Sequence, residues 1–192
     1  MITRRSLATT VTCLALTACV TVKPNPPMGN VNVNVDPGQL VDAPAGAVRG
    51  TIDGGMRVFR GIPYAQPPVG RLRWQPPIPL ARWTGVRDAT AFGAACHQPP
   101  PRLSNIYAGT PMPQSEDCLT LNIWSPPRAS HAPVFFWIYG GALQSGASRE
   151  PMYDGRRLAE RGVVVVSINY RLGVLGWLAH PQLSARIWSC NP

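Results

Sequence analysis

The sequence has few acidic side chains and almost no lysine. It contains 18 lysine and arginine residues against 9 aspartate and glutamate residues, a formal net charge of +9. Lys23 is the only lysine, and the arginines are scattered along the chain rather than clustered. A nucleic-acid-binding surface needs clustered basic residues interleaved with aromatic side chains. The charge pattern therefore argues against a nucleic-acid partner.

The apolar run near the N-terminus is too short to cross a bilayer. It covers residues 7–16 and follows Arg4 and Arg5, which is the pattern of a secretory signal. It ends in Leu16-Thr17-Ala18-Cys19, which resembles the lipobox of bacterial lipoproteins. We therefore expect a lipoprotein signal peptide over residues 1–18, a lipid on Cys19 that attaches the protein to a membrane, and a location in the cell envelope, at the periplasmic face or the outer membrane. An ordinary signal peptide with a chance cysteine is the alternative.

Proline and glycine are abundant, with 22 and 18 residues, which favours turns and loops over a helix bundle. Residues 19–46 are rich in both and poor in large apolar side chains, so we predict an extended tether. Residues 48–52 and 56–59, on either side of Asp-Gly-Gly, predict a small antiparallel hairpin, because Asp-Gly favours the positive φ angles of a tight turn. The proline-rich residues 61–74 predict a rigid loop.

Three further stretches predict strands. The second half of residues 116–126 alternates apolar and polar side chains, whereas residues 134–139 and 163–169 are apolar runs typical of strands buried on both faces. A helix is expected near residues 155–161. Strand, helix and strand in this order predict an α/β layered sheet.

The apolar run 134–139 ends in Gly140 and Gly141. Glycine has no Cβ atom, so the backbone can turn sharply and present its N–H groups to a ligand, as an oxyanion site requires. An ordinary glycine turn at the end of a strand would have the same sequence. The residues alone leave both interpretations open.

Cys96 and Cys118 bracket a polar segment. In an exported protein such a pair favours a disulfide, two free thiols being the alternative. Closing a loop of this length would stabilise the fold by about 3 kcal/mol in the chain-entropy treatment. Cys13 lies in the signal peptide, and Cys190 has no predicted partner.

Several groups of residues occur in an order that points to one protein family. They are Gly61-Ile62-Pro63-Tyr64-Ala65 with Pro67-Pro68-Val69-Gly70, Asp88-Ala89-Thr90 with Phe92-Gly93, Glu116-Asp117-Cys118-Leu119, Tyr153-Asp154-Gly155, and Ser167-Ile168-Asn169-Tyr170-Arg171-Leu172-Gly173. These groups resemble the type-B carboxylesterases, which include the cholinesterases and bacterial para-nitrobenzyl esterases and have the α/β-hydrolase fold. The resemblance implies that residues 47–184 are the N-terminal portion of such a domain, with an incomplete mixed sheet, and that residues 185–192 lie outside it.

The resemblance also assigns an oxyanion hole. Gly141 and Ala142 match the positions whose N–H groups form two thirds of it, and Gly140 shapes the turn. Ala142 departs from the more common triple glycine, but an alanine still offers its N–H group.

The resemblance implies two links around the segment between the cysteines. Cys96 and Cys118 match the first disulfide of the family, which closes a loop at the entrance to the active-site gorge. An ion pair between Arg73 and Glu116 is expected to tie the proline-rich loop to this disulfide loop. The segment contains no tryptophan where cholinesterases keep their choline-binding indole, which argues against choline esters as substrates.

The implied activity is that of a carboxylic ester hydrolase, a serine esterase that acts on a small-molecule carboxylic ester and needs neither a metal nor an organic cofactor. The mechanism requires a serine in Gly-x-Ser-x-Gly, a histidine and an acid. None of them can be assigned in these 192 residues. Ser145 and Ser148 do not lie in that motif, and the contexts of the three histidines, His97, His131 and His180, do not match the catalytic one.

We therefore expect the 192-residue chain to be inactive alone. We also expect it to fold poorly or aggregate, because the last strand of an incomplete sheet would have an unpaired edge and a bare apolar face. A non-catalytic binding module of the same fold and a truncated gene product without function are the alternatives to an enzyme.

Overall fold

The structure is a computed structural model that describes residues 39–100 and 112–183. The predicted signal peptide, Cys19, most of the predicted tether and the predicted tail at 185–192 lie outside the described residues. The strands are β1 Leu40–Ala43, β2 Gly46–Arg49, β3 Thr51–Asp53, β4 Met56–Pro63, β5 Val86–Asp88, β6 Ala95–Cys96, β7 Gln114–Ser115, β8 Thr120–Ser125, β9 Val134–Ile138 and β10 Val164–Ile168. The helices are α1 Arg156–Ala159 and α2 Gly173–Trp177, with 3₁₀ turns at Gly70–Leu72 and Pro151–Tyr153.

The main sheet contains both parallel and antiparallel pairs. Its strand order is β3-β4-β8-β10-β9. β8 pairs antiparallel with β4 and with β10, whereas β9 and β10 are parallel, with Val134 opposite Val164 and Ile138 opposite Ile168. The chain passes through α1 between β9 and β10, as parallel neighbours require. This arrangement confirms the predicted α/β class with an incomplete mixed sheet.

The predicted hairpin is formed by β3 and β4. Asp53 pairs with Met56, so the turn consists of Gly54 and Gly55, and their φ angles of +56° and +79° belong to the left-handed region that such turns use. The first predicted strand, 48–52, is wrong in its extent because it is split at Gly50. A Cβ atom at Gly50 would lie 2.3 Å from the Val58 carbonyl oxygen, so the chain leaves one sheet and enters the next at a glycine.

A second, three-stranded sheet has the order β1-β2-β5. β1 lies inside the predicted tether, so the tether prediction is wrong for its last residues. Val41 of β1 packs against the buried cluster of Val48, Phe59 and Ala89. This contact with residues far along the chain explains why the segment forms a strand, although its prolines and glycines predicted an extended tether.

β4 continues further than the sequence predicted. The proline-rich loop was expected to begin at residue 61, but Ile62 and Pro63 still pair with β8, beyond an irregularity that follows Phe59. Gly61 lies in this irregularity with a φ of +68°, and its N–H donates to Asn122 Oδ1 over 3.0 Å. A glycine bulge therefore lets the strand continue where its composition predicted a loop.

The two faces of the main sheet carry separate apolar clusters. Val58, Trp124 and Val165 are buried with Ala159 of α1 on one face. Phe59, the next residue along β4, belongs to the cluster on the opposite face, since successive side chains alternate across a strand. The sheet is thus covered on both faces near β4 and β8.

β9 differs from its prediction as a strand buried on both faces. Val134, Phe136 and Ile138 are 64%, 53% and 56% exposed. Within residues 39–100 and 112–183, β9 is an edge strand of the main sheet. Trp137 is its only partly buried residue, and the centroid of its ring lies 5.4 Å from that of the Tyr153 ring. The expectation that the last strand would be the unpaired edge is not met by β10, which pairs with β8 and β9; the exposed apolar edge is β9. The prediction that β9 is buried on both faces is wrong, because burial needs a neighbour that the described residues do not supply.

None of the helices in the described part of the chain has the length and apolar character that crossing a membrane would need.

Candidate oxyanion site

The candidate site is the loop of residues 140–146 at the carboxyl end of β9, which we call the glycine loop. Gly141, Ala142 and Leu143 have φ angles of +131°, +54° and +61°. A Cβ atom at Gly141 would lie 2.0 Å from the Ser145 carbonyl oxygen, so only glycine fits there. Ala142 and Leu143 adopt a left-handed conformation that costs roughly 1 kcal/mol or more for such residues, and such conformations are concentrated at functional sites.

The turn leaves two N–H groups unpaired. The Gly141 carbonyl accepts hydrogen bonds from the N–H groups of Gln144 and Ser145, over 3.0 and 3.2 Å. In the described segments, the N–H groups of Gly141 and Ala142 have no protein acceptor, and both residues are exposed. Within the turn, the Gly141 carbonyl oxygen is hydrogen-bonded, whereas the N–H groups of Gly141 and Ala142 are available to an external acceptor.

An open cleft of about 400 Å³ lies beside these N–H groups. Apart from the glycine loop, which includes Leu143, the cleft is lined by Ile138, Tyr139, Ile168, Tyr170 and Trp177. No charged side chain lines this cleft in the described residues. An apolar group attached to a polar reacting centre would therefore suit it.

Two stacked tyrosines hold the start of the glycine loop. The rings of Tyr139 and Tyr170 lie 4.6 Å apart, and the Tyr170 hydroxyl donates to the Tyr139 carbonyl over 2.8 Å. The Tyr64 hydroxyl donates to the Asn169 carbonyl over 2.7 Å. Burial raises the pKa of the Tyr139 hydroxyl well above its ordinary value, and this hydroxyl lies 3.5 Å from the Tyr170 carbonyl oxygen.

A buried polar cluster anchors the end of the loop. Asn122 Nδ2 donates to the Oγ atoms of Ser148 and Ser167 over 3.0 and 3.1 Å. The Ser148 N–H donates to Asn169 Oδ1 over 2.9 Å. Sequence reasoning did not assign a role to either asparagine, although a polar residue inside an apolar strand was the signal that could have found them.

Ser145 and Ser148, which the sequence placed outside the nucleophile motif, lie in different surroundings. Ser148 is buried in this polar cluster, whereas Ser145 is an exposed residue of the glycine loop. His97, His131 and His180 are all exposed, and none of their side chains makes a hydrogen bond within the described residues. Over the same residues, no group of three or more histidine, cysteine, aspartate or glutamate side chains is placed to hold a metal ion. The described residues therefore do not bring a nucleophile and a base together beside the cleft.

Both links expected around the disulfide loop are present. A disulfide joins Cys96 and Cys118, whose Cα atoms are 5.1 Å apart. Arg73 binds Glu116 with two hydrogen bonds, one of them from Nε to Oε2 over 2.6 Å. The hydrogen bond from Arg73 lowers the pKa of the Glu116 carboxyl group below its ordinary value.

The residue that sequence reasoning missed most clearly is Gln98. Its Nε2 donates to the Gly146 carbonyl over 3.0 Å, and its Oε1 accepts the Gly146 N–H over 2.8 Å. Gln98 lies two residues after Cys96, so it connects the disulfide loop to the last residue of the glycine loop. Neither position carries a local sequence signal for this contact.

The fold and the site define a class of protein. A mixed sheet, a glycine turn after β9 and a disulfide between Cys96 and Cys118 are features of an α/β-hydrolase fold, of which the described residues form a part. A solved structure described as a PNB esterase matches the chain with a TM-score of 0.70 and 44% sequence identity, over 76% of this chain and 30% of that one.

The family follows from the sequence comparisons. The sequence model of the carboxylesterase family matches residues 37–186. The chain is 48% identical over 152 residues to the fumonisin B1 esterase of Sphingopyxis macrogoltabida, covering 78% of this chain and 27% of that protein. It is 49% identical over 142 residues to the para-nitrobenzyl esterase of Bacillus subtilis (strain 168), covering 73% of this chain and 29% of that protein. The chain belongs to the carboxylesterase family, and it spans less than a third of the length of these relatives.

Proposed function

We propose that this chain provides the oxyanion-stabilising part of a serine carboxylesterase. The observation that carries this proposal is the pair of unpaired N–H groups of Gly141 and Ala142 beside an apolar cleft. When a serine attacks an ester carbonyl, negative charge develops on the carbonyl oxygen, and two fixed N–H donors stabilise it. Loss of one such donor costs roughly 10²- to 10³-fold in kcat.

The nucleophile, its base and its acid come, in this proposal, from residues outside these 192. The sequence contains no Gly-x-Ser-x-Gly motif, and Ser148 is buried in hydrogen bonds. The chain alone would then be inactive, because oxyanion donors without a nucleophile form no acyl-enzyme.

The proposed substrate is a small carboxylic ester with an uncharged, apolar group. The similar proteins are named as esterases of fumonisin B1 and of a para-nitrobenzyl compound, and the cleft wall here is apolar. No cofactor enters the proposed reaction. Residues 1–19 support a further part of the proposal, that lipid on Cys19 holds the protein at the cell envelope.

A non-catalytic binding module is the second candidate. It is favoured by the lack of a nucleophile motif in the sequence together with the intact disulfide loop and glycine loop. In that case, the fold would present its surfaces to a partner, and ester hydrolysis would be absent from every form of the protein.

The test begins with the DNA beyond the codon for Leu183, translated in all three frames. We would express the longest polypeptide that continues the family and measure hydrolysis of 4-nitrophenyl butyrate and labelling by a fluorophosphonate, with the 192-residue chain as the matched control. The expected result is activity and labelling of the longer polypeptide only. If no frame contains Gly-x-Ser-x-Gly followed by a histidine, serine catalysis is excluded and the binding module is favoured.

A further inference from the structure

We propose that Gln98 is a positioning residue that sets the geometry of the oxyanion N–H groups by holding Gly146. This inference rests on the proposed function of the glycine loop. Gln98 itself touches neither Gly141 nor Ala142, so it would act only through the backbone of the loop.

The contact satisfies both backbone groups of one residue with one planar amide. Oε1 accepts the Gly146 N–H over 2.8 Å, and Nε2 donates to the Gly146 carbonyl over 3.0 Å. A pair of hydrogen bonds in one plane fixes orientation as well as distance. Gly146 also has a φ of +117°, which side-chain-bearing residues rarely adopt. The amide therefore holds a peptide that would otherwise have wide conformational freedom.

Gly146 is the point where the glycine loop closes on itself. A Cβ atom there would lie 2.5 Å from the Tyr139 ring and 2.9 Å from the Gly140 carbonyl oxygen. The neighbouring Ser145 N–H binds the Gly141 carbonyl over 3.2 Å. A displacement of Gly146 would therefore also displace Gly141, because only Ser145 and its hydrogen bond to the Gly141 carbonyl lie between them.

In the described residues, Gln98 makes the hydrogen bonds to Gly146, and the buried Tyr139 ring also packs against this residue. Residues 140–145 are exposed, so no buried side chain anchors them. The Leu143 carbonyl accepts the Gly173 N–H over 2.7 Å, which holds the tip of the loop. The polar cluster of Asn122 and Ser148 holds the chain after the loop. Gln98 is the contact between these two.

Gln98 is itself fixed by its neighbours. Its backbone N–H donates to Gln114 Oε1 over 3.0 Å, and Nε2 also lies 3.2 Å from the Cys96 carbonyl oxygen. Cys96 is buried and covalently joined to Cys118. The Gln98 side chain therefore starts from backbone that the disulfide holds in place. A positioning contact needs such rigid support.

The first test is hydrogen exchange of the longest polypeptide that continues the family, the one expressed to test the proposed function. We expect the Gly146 N–H to be protected, and Gln98→Met, which has a similar length but no amide, to lower that protection by about tenfold. Gln98→Glu retains a hydrogen-bond acceptor and should keep part of the protection of the Gly146 N–H. Gln66→Met is the control, since the Gln66 amide binds only the Pro79 carbonyl over 3.3 Å at an exposed position. An unprotected Gly146 N–H in the unmodified chain, or equal protection in Gln98→Met and the control, would overturn the proposal.

The second test uses the ester-hydrolysing polypeptide. We expect Gln98→Met to lower kcat for 4-nitrophenyl butyrate by about tenfold, with KM and the thermal midpoint close to those of Gln66→Met, because misplaced donors weaken transition-state stabilisation rather than substrate binding. Gln98→Glu should recover part of kcat. An unchanged kcat with lost protection of Gly146 would overturn the positioning role while leaving the esterase function standing. If no polypeptide hydrolyses esters, the proposed function fails and the catalytic part of this inference with it, and the exchange experiment still decides whether Gln98 holds the loop.

Discussion

Ser145 and Gly141 meet across the base of their turn so closely that the Ser145 carbonyl oxygen lies 2.0 Å from the place of a Gly141 Cβ atom. The Ser145 N–H donates to the Gly141 carbonyl in the same turn. This relationship makes Gly141 the least replaceable residue of the candidate site.

Gly141→Ala is therefore expected to abolish the turn. The added methyl group would clash with backbone, and a φ of +131° is strained for alanine. In the ester-hydrolysing polypeptide, kcat should fall by roughly 10²-fold or more, as for the loss of an oxyanion donor. Gly140→Ala is the matched variant, since a Cβ atom there meets no atom within 4 Å. Equal activity losses in the two variants would contradict this account.

Loss of the ion pair between Arg73 and Glu116 should lower the thermal midpoint at pH 7. The folded-state pKa of Glu116 lies below its ordinary value, chiefly because Arg73 donates a hydrogen bond to it. The contribution of the ion pair to the stability of the fold is therefore fully present above the unfolded-state pKa of Glu116, which is about 4.3. It is lost as the pH falls through the folded-state pKa of Glu116. The difference in midpoint between the wild type and Arg73→Gln should shrink as the pH drops below about 4.

Arg157→Gln provides the control for this measurement. Arg157 is 83% exposed and pairs over 3.3 Å with Glu160, which directly follows α1, an arrangement that contributes little to stability. Its thermal midpoint should match the wild type across the same pH range. A midpoint of Arg73→Gln equal to that of Arg157→Gln at pH 7 would show that the pair does not tie the two loops together.

Reduction of the disulfide should lower the free energy of unfolding by about 3 kcal/mol, because Cys96 and Cys118 are 22 residues apart in sequence. Denaturant titration with and without a phosphine reductant measures this difference. The double variant Cys96→Ser/Cys118→Ser should show the lower stability in both conditions. A reductant effect that persists in the double variant would mean that the stabilisation comes from elsewhere.

The exposed edge strand β9 predicts aggregation of the 192-residue chain. Phe136 is 53% exposed in a strand that has an unpaired edge within the described residues. Phe136→Lys should raise the concentration at which light scattering begins, because a charge on an edge strand opposes pairing between chains. Leu158→Lys is the comparison, since Leu158 is 41% exposed but lies on α1, away from the edge. Equal solubility of both variants would remove β9 as the cause.

The sequence predicted those parts of the fold that depend on local patterns. The β3–β4 turn follows from two adjacent glycines, and β8, β9 and β10 follow from alternation or from continuous apolar runs. The resemblance supplied the pairs Cys96–Cys118 and Arg73–Glu116 because motifs carry such contacts between distant positions. Whether Gly141 and Ala142 act as oxyanion donors is a prediction that the kinetic experiments above decide.

The remainder depends on contacts that no local pattern contains. β1 forms because Val41 reaches a cluster that includes Phe59, and Gln98 reaches Gly146 across 48 positions of sequence. The exposure of β9 depends on what lies next to it, since an apolar run shows only that burial is favourable. These three features could not be predicted from the sequence, because each depends on residues that are distant along the chain rather than on the segment itself.

The buried amide of Asn122 also favours one alignment of β8 with β10. Asn122 of β8 lies directly opposite Ser167 of β10, and Ser148 binds the same amide. Side chains alternate along a strand, so a slip of one position would place Val166 or Ile168 against the amide and leave these buried polar groups without partners. Misaligned pairing of β8 and β10 is thereby penalised at the same spot that anchors the glycine loop. A chain that mispaired its central strands would lose its candidate site in the same event.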